Sequence, residues 1–294
     1  MIQPASQELT AEYFPGIKSL RFLRLDLPDP VAGGNKSFKL KYHLEVFRRM
    51  RETHPDSPVE GASILSFGGA YSNHIAALAH AGKVNNIPTI GVIRGNELNE
   101  NANPVLRFAK ECGMKLHFIS REYYRQKNET ESTLDFIRRF GPIYIVPEGG
   151  GGDQGVRGCL EILTRECDVF DEIILPVGTG TTIAGLIQTA KTHQHITGVA
   201  VLSAKDHLEN EITQMMHEEI SCSWDILHDF TLGGYANTSD VLVEFITAMK
   251  SRFNLPLDHV YSGKALFALH KMTISGSYKG KSVLFVHTGG YAFA

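Results

Sequence analysis

The sequence has few cysteines, no long apolar run and no excess of charge of either sign, and each lack excludes a class of protein. Its four cysteines show no CxxC spacing, so we expect reduced thiols used in packing rather than a disulfide framework. No run approaches the ~18 apolar residues that cross a bilayer. The 29 basic and 32 acidic residues leave a net charge of −3, which argues against nucleic acid or an anionic membrane as the main partner.

Signals for export and for metal binding are also missing. The first 14 residues lack the basic start and the apolar core of a secretory leader, so a cytoplasmic location is expected. The 13 histidines show neither HExxH nor HxxxH spacing, and we expect no catalytic metal. With 294 residues, 43% of them hydrophobic and 21% charged, the chain has the composition of one or two ordinary globular domains.

From residue 60 onward, short β-branched runs alternate with segments of helical period. This alternation predicts parallel sheets with helices on both faces, joined by right-handed crossovers. The predicted strands are 64–67, 89–93, 116–119, 143–146, 173–175, 199–202 and 283–286. The predicted helices are 72–82, 104–112, 121–140 and 183–191. Residues 203–224 are polar and irregular and allow no firm prediction.

The expected fold class is therefore α/β, with two open, mainly parallel sheets in two domains. The strongest candidate for a boundary is Gly149–Gly152, although these glycines would also suit a loop whose backbone approaches a ligand closely. We expect the larger domain to combine residues 1–40 with 149–294, and the smaller one to span 41–148.

A first chemical motif is GGNKSFKL, in which two glycines lead into a helix that carries Lys36 and Lys39. Residues three apart share one face of a helix. If that face is buried, charge repulsion and desolvation lower the pKa of a lysine and make it nucleophilic. A solvated, basic helix start explains the same residues, so both interpretations stay open.

A second motif, SFGGAYSNH, ends a predicted strand and opens a helix with Ser72, Asn73 and His74. Ser72 is a suitable N-cap residue for that helix. In open α/β sheets, however, ligands bind at the carboxyl ends of strands, where the Ser72 hydroxyl and the Asn73 amide would lie. The motif therefore predicts a helix cap, a ligand contact, or both.

A third motif, LPVGTGTT, follows a strand with Thr179, Gly180, Thr181 and Thr182. Backbone N–H groups and three hydroxyls would meet at a helix start, which suits one phosphate group. It lacks the ending of a P-loop and the spacing of a dinucleotide fingerprint. A plain turn with a helix cap is the alternative. Tyr261 and Tyr235, each beside glycines, are weaker candidates.

Taken together, five motifs in fixed order resemble pyridoxal-phosphate enzymes of the tryptophan-synthase-β-like fold. They are GGNK..KL, GG..SNH, GTGTT.AGL, Y.GK and HTGG, spread over residues 33–290. The pattern is similar in particular to the family of 1-aminocyclopropane-1-carboxylate deaminase and D-cysteine desulfhydrase. The resemblance implies pyridoxal 5'-phosphate as cofactor, bound between the two domains, and a homodimer as the default assembly.

The resemblance also implies roles for individual residues. Lys36 would carry the cofactor as a Schiff base, Lys39 would lie near its phosphate, and Asn73 would bind the 3-hydroxyl of its ring. The residues implied to cradle the phosphate are Thr179, Gly180, Thr181 and Thr182.

On the substrate side, Ser72 would act as an acid–base group or a carboxylate ligand, with Asn73 and His74 beside it. Tyr261 would lie near the reacting carbon, and Tyr235 would be a second tyrosine of the active site.

Residue 262 bears on the choice of reaction. In the ring-opening deaminases this position holds a glutamate that faces the pyridine nitrogen, whereas this chain has Ser262. A hydroxyl holds that nitrogen protonated less well, so the resemblance favours α,β-elimination from a small amino acid, D-cysteine first, giving pyruvate, sulfide and ammonia. The alternatives are a deaminase or dehydratase acting on 1-aminocyclopropane-1-carboxylate or another small amino acid, and a pyridoxal-phosphate-binding protein without turnover.

Overall fold

The computed structural model describes residues 5–9, 13–27, 33–53, 61–201, 207–231 and 237–289. The strands are β1 Ala5–Leu9, β2 Ser19–Arg24, β3 Ser63–Gly68, β4 Thr89–Arg94, β5 Lys115–Ile119, β6 Ile143–Val146, β7 Glu172–Val177, β8 His195–Ala200, β9 Ser223–Leu227 and β10 Ser282–His287. The α-helices are α1 Asn35–Thr53, α2 Asn73–Asn85, α3 Pro104–Glu111, α4 Arg121–Arg125, α5 Thr130–Phe140, α6 Gly152–Cys159, α7 Thr181–Ile187, α8 Leu208–Gln214, α9 Asp240–Phe253 and α10 Ser262–Ile274.

The chain divides into two compact units. A larger unit combines the residues up to Phe38 with those from Val156 to the end of the described part, and a smaller unit spans Lys39–Gly155. One point of division falls inside α1, between Phe38 and Lys39.

The sheet of the larger unit has six strands in the order β1-β2-β10-β7-β8-β9. Every neighbouring pair is parallel except β1 and β2, which run antiparallel. Strand β10, which comes last in the described sequence, therefore lies in the interior of the sheet.

Both faces of this sheet are covered, because successive side chains of a strand point to opposite sides. In β7, Ile173 and Leu175 contribute to a core that also contains side chains from α6, α7 and α8. Ile174, between them, contributes to a second core that contains side chains from α9 and α10. Residues 173–175 of β7 are therefore apolar on both faces, as parallel strands between helical layers usually are.

The smaller unit has a four-stranded sheet in the order β5-β4-β3-β6, and every neighbouring pair is parallel. One of its cores contains Leu65 and Phe67 from β3 and Val92 from β4, together with Tyr124 of α4 and Phe136 of α5. The two sheets and their helices confirm the predicted α/β fold class with two mainly parallel sheets.

The predicted helix over residues 121–140 is wrong, because the structure has two helices there. Ser120 caps α4 by accepting the N–H of Tyr123, and α4 ends at Arg125. The backbone of Glu129 is extended, with φ −74° and ψ 147°, which interrupts the i→i−4 hydrogen bonds before α5 begins.

The predicted and observed elements also differ in segments that are polar or that mix polar with apolar residues. Strands β1, β2 and β9 and helices α6, α8 and α9 were not predicted. Helix α7 begins two residues earlier and ends four residues sooner than the predicted helix 183–191. The predicted strand 199–202 overlaps β8 only at residues 199–200, and residue 202 lies outside the described residues.

All four cysteines are buried and none forms a disulfide, as expected. None of the helices in the described part of the chain combines the length and the apolar character that a membrane span requires. Within the same residues, no group of three or more His, Cys, Asp or Glu side chains is placed to hold a metal ion.

Candidate active site

The start of α1 is fixed to the ends of β2 and β10. Gly34 has φ +72°, and its N–H donates to the carbonyl of Leu25 at 2.8 Å. A Cβ atom at Gly34 would lie 2.0 Å from the carbonyl oxygen of Thr288, so only glycine fits. The N–H of Asn35 donates to that same oxygen at 3.0 Å. These contacts set the position from which Lys36 extends.

The structure brings Lys36 and Thr182 together through Asn35. Lys36 Nζ donates to Asn35 Oδ1 at 2.7 Å, and Asn35 Nδ2 donates to Thr182 Oγ1 at 2.8 Å. Asn35 and Thr182 are buried, and Lys36 is half-buried. Asn35 is not among the predicted site residues; the signal for it in the sequence is its place between the glycine pair and Lys36.

The threonine-rich motif forms the turn between β7 and α7, as predicted. Gly180 has φ +79°, and a Cβ atom there would lie 2.8 Å from a side-chain carbon of Ile212. Thr179 Oγ1 lies 3.3 Å from Thr181 Oγ1. The first N–H groups of a helix have no acceptor within that helix. Hydroxyls and N–H groups at one turn form a donor set that suits a phosphate group.

The Y.GK motif lies at the start of α10, where Ser262 is tied to Asp258. Ser262 Oγ donates to Asp258 Oδ2 at 2.6 Å, and the N–H of Asp258 donates to Ser262 Oγ at 3.1 Å. The Asp258 carboxylate also accepts the backbone N–H groups of Val260, Tyr261 and Ser262. Both Ser262 and Asp258 are buried, so the single hydroxyl hydrogen of Ser262 is committed to a carboxylate.

The two predicted tyrosines have different outcomes. Tyr261 is half-buried, and its ring packs against the apolar core that α9 and α10 share with the sheet. Tyr235 lies outside the described residues.

A buried polar cluster missed by the sequence analysis supports the ends of β2 and β10. Arg24 donates to both oxygens of Asp26, at 2.8 and 2.6 Å. Burial raises the pKa of Asp26, but the hydrogen bonds from Arg24, the charges of His287 and Arg24 and a backbone hydrogen bond together outweigh burial, so that the pKa lies below its usual value. Burial lowers the pKa of His287, whose Nε2 donates to the carbonyl of Pro256 at 2.7 Å.

In the smaller unit, Ser72 and Asn73 lie just beyond the carboxyl end of β3. Ser72 is the N-cap of α2, because its Oγ accepts the N–H of Ile75 at 3.3 Å, as predicted. A Cβ atom at Gly68 would lie 2.6 Å from Ser72 Oγ, so the glycine permits the close turn.

Lys39 and His74 flank one glycine loop of the smaller unit. Lys39 is 3% exposed, and its Nζ donates to the carbonyl of Gly149 at 3.2 Å. A Cβ atom at Gly150 would lie 3.1 Å from Lys39 Cβ and 3.4 Å from His74 Nδ1. His74 Nε2 lies 2.7 Å from Oγ of Ser66. His74 is 2% exposed, and its contact with the substrate carboxylate stays a prediction.

A residue of α1 that contacts this loop was also missed. His43 is buried, and its Nε2 donates to the carbonyl of Gly151 at 2.9 Å, while Nδ1 lies 2.9 Å from the hydroxyl of Tyr144. Burial lowers the pKa of His43. Its ring therefore helps to hold the loop that Lys39 contacts.

Comparison with known proteins is consistent with this arrangement. A profile of the family described as "Pyridoxal-phosphate dependent enzyme" matches residues 15–289. The chain is 28% identical to an Arabidopsis thaliana protein named bifunctional D-cysteine desulfhydrase/1-aminocyclopropane-1-carboxylate deaminase, mitochondrial. That similarity covers 94% of this chain and 73% of the relative.

Solved structures share the fold. One described as an ACC deaminase homologue superposes with a TM-score of 0.80 at 23% identity, over 99% of this chain and 90% of the other. A maize serine racemase superposes with a TM-score of 0.67 at 14% identity, over 98% and 88% of the two chains.

Proposed function

This chain belongs to the family of pyridoxal-phosphate-dependent enzymes, and we propose on that basis that it catalyses α,β-elimination from a small amino acid, with D-cysteine favoured. The balanced reaction converts D-cysteine and one water into pyruvate, hydrogen sulfide and ammonia. The bonds from Cα to its hydrogen and to nitrogen, and from Cβ to sulfur, are broken. No external oxidant or reductant is required.

The residues of the larger unit fit the cofactor. We assign Lys36 as the residue that binds its aldehyde carbon, and Thr179, Gly180, Thr181 and Thr182 as its phosphate site. The support is the hydrogen-bonded connection from Lys36 Nζ through Asn35 to Thr182 Oγ1, which links an amine to a hydroxyl-rich turn. When bound, pyridoxal phosphate supplies an electron sink for the pair left at Cα after proton loss.

The proposed proton transfers use side chains of this chain. Lys36, as a neutral amine, is the proposed base that takes the Cα proton. The Ser72 oxygen accepts the N–H of Ile75, which leaves its own hydrogen for a substrate carboxylate or a departing group. We propose that Asn73, His74 and Tyr261 complete the substrate side, and that Lys39 lies near the phosphate.

The identity of residue 262, a serine in this chain, is the basis for preferring elimination of sulfide over ring opening. The only hydroxyl hydrogen of Ser262 is donated to Asp258, so its oxygen can meet a pyridine nitrogen only as an acceptor. A neutral acceptor holds a proton on that nitrogen less strongly than a carboxylate would. The resulting weaker electron sink favours loss of sulfide, a good leaving group, over cleavage of a cyclopropane carbon–carbon bond.

A second candidate is the deamination of 1-aminocyclopropane-1-carboxylate, which with one water gives 2-oxobutanoate and ammonia. The observation in its favour is the name of the Arabidopsis relative, which carries both activities. A cytoplasmic location, a homodimer and a cofactor bound between the two domains stay predictions.

The deciding experiment measures sulfide, ammonia and keto acid released by the purified, cofactor-loaded protein. D-Cysteine, L-cysteine and 1-aminocyclopropane-1-carboxylate are compared at equal concentrations. We expect sulfide and pyruvate in equal amounts from D-cysteine, at a rate at least tenfold above the release of 2-oxobutanoate. Faster release of 2-oxobutanoate would show that ring opening is the main reaction.

The attachment site is tested by borohydride reduction followed by peptide mass spectrometry. The pyridoxyl group should be found on the peptide that contains Lys36, and Lys36→Ala should abolish it. Lys191→Ala, which removes an exposed lysine of the same unit, is the matched control and should keep it. A pyridoxyl group on another lysine would contradict the assignment.

A further inference from the structure

We infer that Asn35 is a positioning residue that orients both the amine of Lys36 and the hydroxyl of Thr182 toward the cofactor. The inference rests on the proposal that Lys36 and Thr182 hold that cofactor. It concerns one neutral side chain that joins the site of covalent attachment to the phosphate site, both within the larger unit.

The chemistry of the amide defines the direction of each hydrogen bond. An amide oxygen only accepts and an amide nitrogen only donates. Asn35 Oδ1, 2.7 Å from Lys36 Nζ, therefore accepts from the amine. Asn35 Nδ2, 2.8 Å from Thr182 Oγ1, therefore donates to the hydroxyl. The hydrogen of the Thr182 hydroxyl is then left for a phosphate oxygen.

The position of the amide is fixed before any ligand binds. Asn35 is 7% exposed and is the first residue of α1. Its N–H donates to the carbonyl of Thr288, and Gly34 packs against the same carbonyl. A side chain held at its backbone and at both polar atoms of its amide has little freedom to turn, so it imposes its orientation on its two partners.

The neutrality of Asn35 matters as much as its geometry. A carboxylate at this position would also reach both partners. It would, however, favour the charged form of Lys36, since an opposite charge within about 4–6 Å shifts a pKa by about 1–3 units. It would also accept the Thr182 hydrogen and place negative charge beside the phosphate site. An amide avoids both effects.

The test uses the full chain without cofactor, in the parent form and as Asn35→Asp and Asn35→Ala. An amine-reactive reagent labels the protein across a range of pH, and mass spectrometry measures the modified fraction of Lys36. In Asn35→Asp we expect the midpoint of labelling to rise by about 1 pH unit or more. In Asn35→Ala the midpoint should fall, because the charged form of the Lys36 amine loses a hydrogen-bond acceptor.

Equilibrium binding of pyridoxal phosphate to the same proteins gives the second measurement. We expect the affinity to fall at least tenfold in Asn35→Asp and less in Asn35→Ala. If Asn35→Asp does not fold, Asn35→Ala decides the matter: an unchanged affinity together with an unchanged labelling midpoint would overturn the inference.

Two control residues, Gln194 and Thr192, lie just before the start of β8, at the amino end of the strands and therefore at the opposite end of the sheet from Thr182. Gln194 is a buried amide that donates to the carbonyls of Cys167 and Phe170 and accepts the N–H of Lys191. Gln194→Ala should lower stability without moving the midpoint of Lys36. Thr192→Asp adds the same charge at an exposed turn and should also leave the midpoint unchanged.

An equal midpoint for folded Asn35→Asp and Thr192→Asp would overturn the inference. Failure of the proposed function is seen separately, because it would appear as absence of D-cysteine elimination in the parent protein. The labelling midpoints are measured without cofactor or substrate and do not depend on that result.

Discussion

Gly34 and Thr288 approach so closely that no side chain fits between their backbones. The carbonyl of Thr288 occupies the place where a Cβ atom of residue 34 would stand. Because residue 34 immediately precedes Asn35 and Lys36, this contact between the first turn of α1 and the end of β10 sets the geometry of the whole attachment site.

Gly34→Ala should therefore destabilise the larger unit strongly. The cost combines the left-handed backbone at φ +72° with forced movement of the Thr288 carbonyl, about 2–5 kcal/mol in total. Urea unfolding measures it. Gly276→Ala is the matched control, because Gly276 has φ +83° and open space around it, and it should lose only about 1 kcal/mol. Equal losses in the two variants would contradict the steric argument.

Ser72→Ala should separate the capping role of the hydroxyl from its proposed role in the reaction. Loss of the cap lowers the unfolding free energy by about 1 kcal/mol. Loss of a proton donor at the substrate lowers elimination from D-cysteine by about 100-fold or more. Denaturant unfolding and sulfide release measure the two effects on the same preparation.

Ser239→Ala is the control for Ser72→Ala, because Ser239 caps α9 by accepting the N–H of Leu242 at the same 3.3 Å. It should lose similar stability and keep full turnover. If both variants keep the parent rate, Ser72 has only a structural role.

Ser262 and Asp258 should be strongly coupled in a double-mutant cycle. A hydrogen bond to a buried carboxylate contributes about 1.5–3 kcal/mol, so Ser262→Ala alone should be costly. Once Asp258→Asn has removed the charge, the same substitution should cost less, with a coupling energy of about 1 kcal/mol or more. If the two substitutions lower the free energy of urea unfolding additively, the 2.6 Å hydrogen bond between Ser262 and Asp258 does not couple the two side chains.

The pair His195 and Asp225 should make stability depend weakly on pH. The hydrogen bond that His195 Nε2 donates to the Asp225 carboxylate raises the pKa of His195, and the same hydrogen bond lowers the pKa of Asp225. The histidine contribution is complete below its unfolded pKa of about 6.5 and is lost as pH rises through the raised folded value. The aspartate contribution is complete above its unfolded pKa of about 3.9 and is lost as pH falls through the lowered folded value.

The free energy of unfolding that this pair contributes is therefore greatest between about pH 3.9 and about pH 6.5, the unfolded pKa values of aspartate and histidine. Since the side chains are 31% and 51% exposed, solvent keeps the effect well below about 1 kcal/mol. His195→Asn should reduce the difference between the urea midpoints at pH 5.5 and pH 8.5, whereas His193→Asn, at an exposed position nearby, should preserve it. An unchanged difference in His195→Asn would exclude the pair as its source.

The sequence allowed good prediction of the parallel core and poor prediction of its polar supports. Strands such as 173–175 and 283–286 are short apolar runs with few competing interpretations, and the structure confirms them. Strand β2 was missed because it carries Arg21 and Arg24. The charge of Arg24 is compatible with burial only because Asp26, two residues beyond it, neutralises it.

In the candidate site, too, local motifs could be predicted from the sequence, but contacts between distant residues could not. The glycine, lysine and threonine motifs could be recognised separately, because each follows local rules for turns and helix starts. The contact between Asn35 and Thr182 joins residues 147 apart in sequence, and only the folded sheet brings them together. Ser262 was recognised by position, but its commitment to Asp258 depends on the geometry of the turn before α10.

The interior position of β10 has a consequence for the order in which the protein can fold during synthesis. Strands β2 and β7 of the larger unit are not adjacent to each other, and β10 lies between them. That sheet cannot close until residue 287 has left the ribosome. The sheet of the smaller unit is encoded by the continuous stretch of residues 63–146, so it can form while translation continues. A nascent chain arrested shortly before β10 would therefore contain a folded smaller unit and an unfinished larger one.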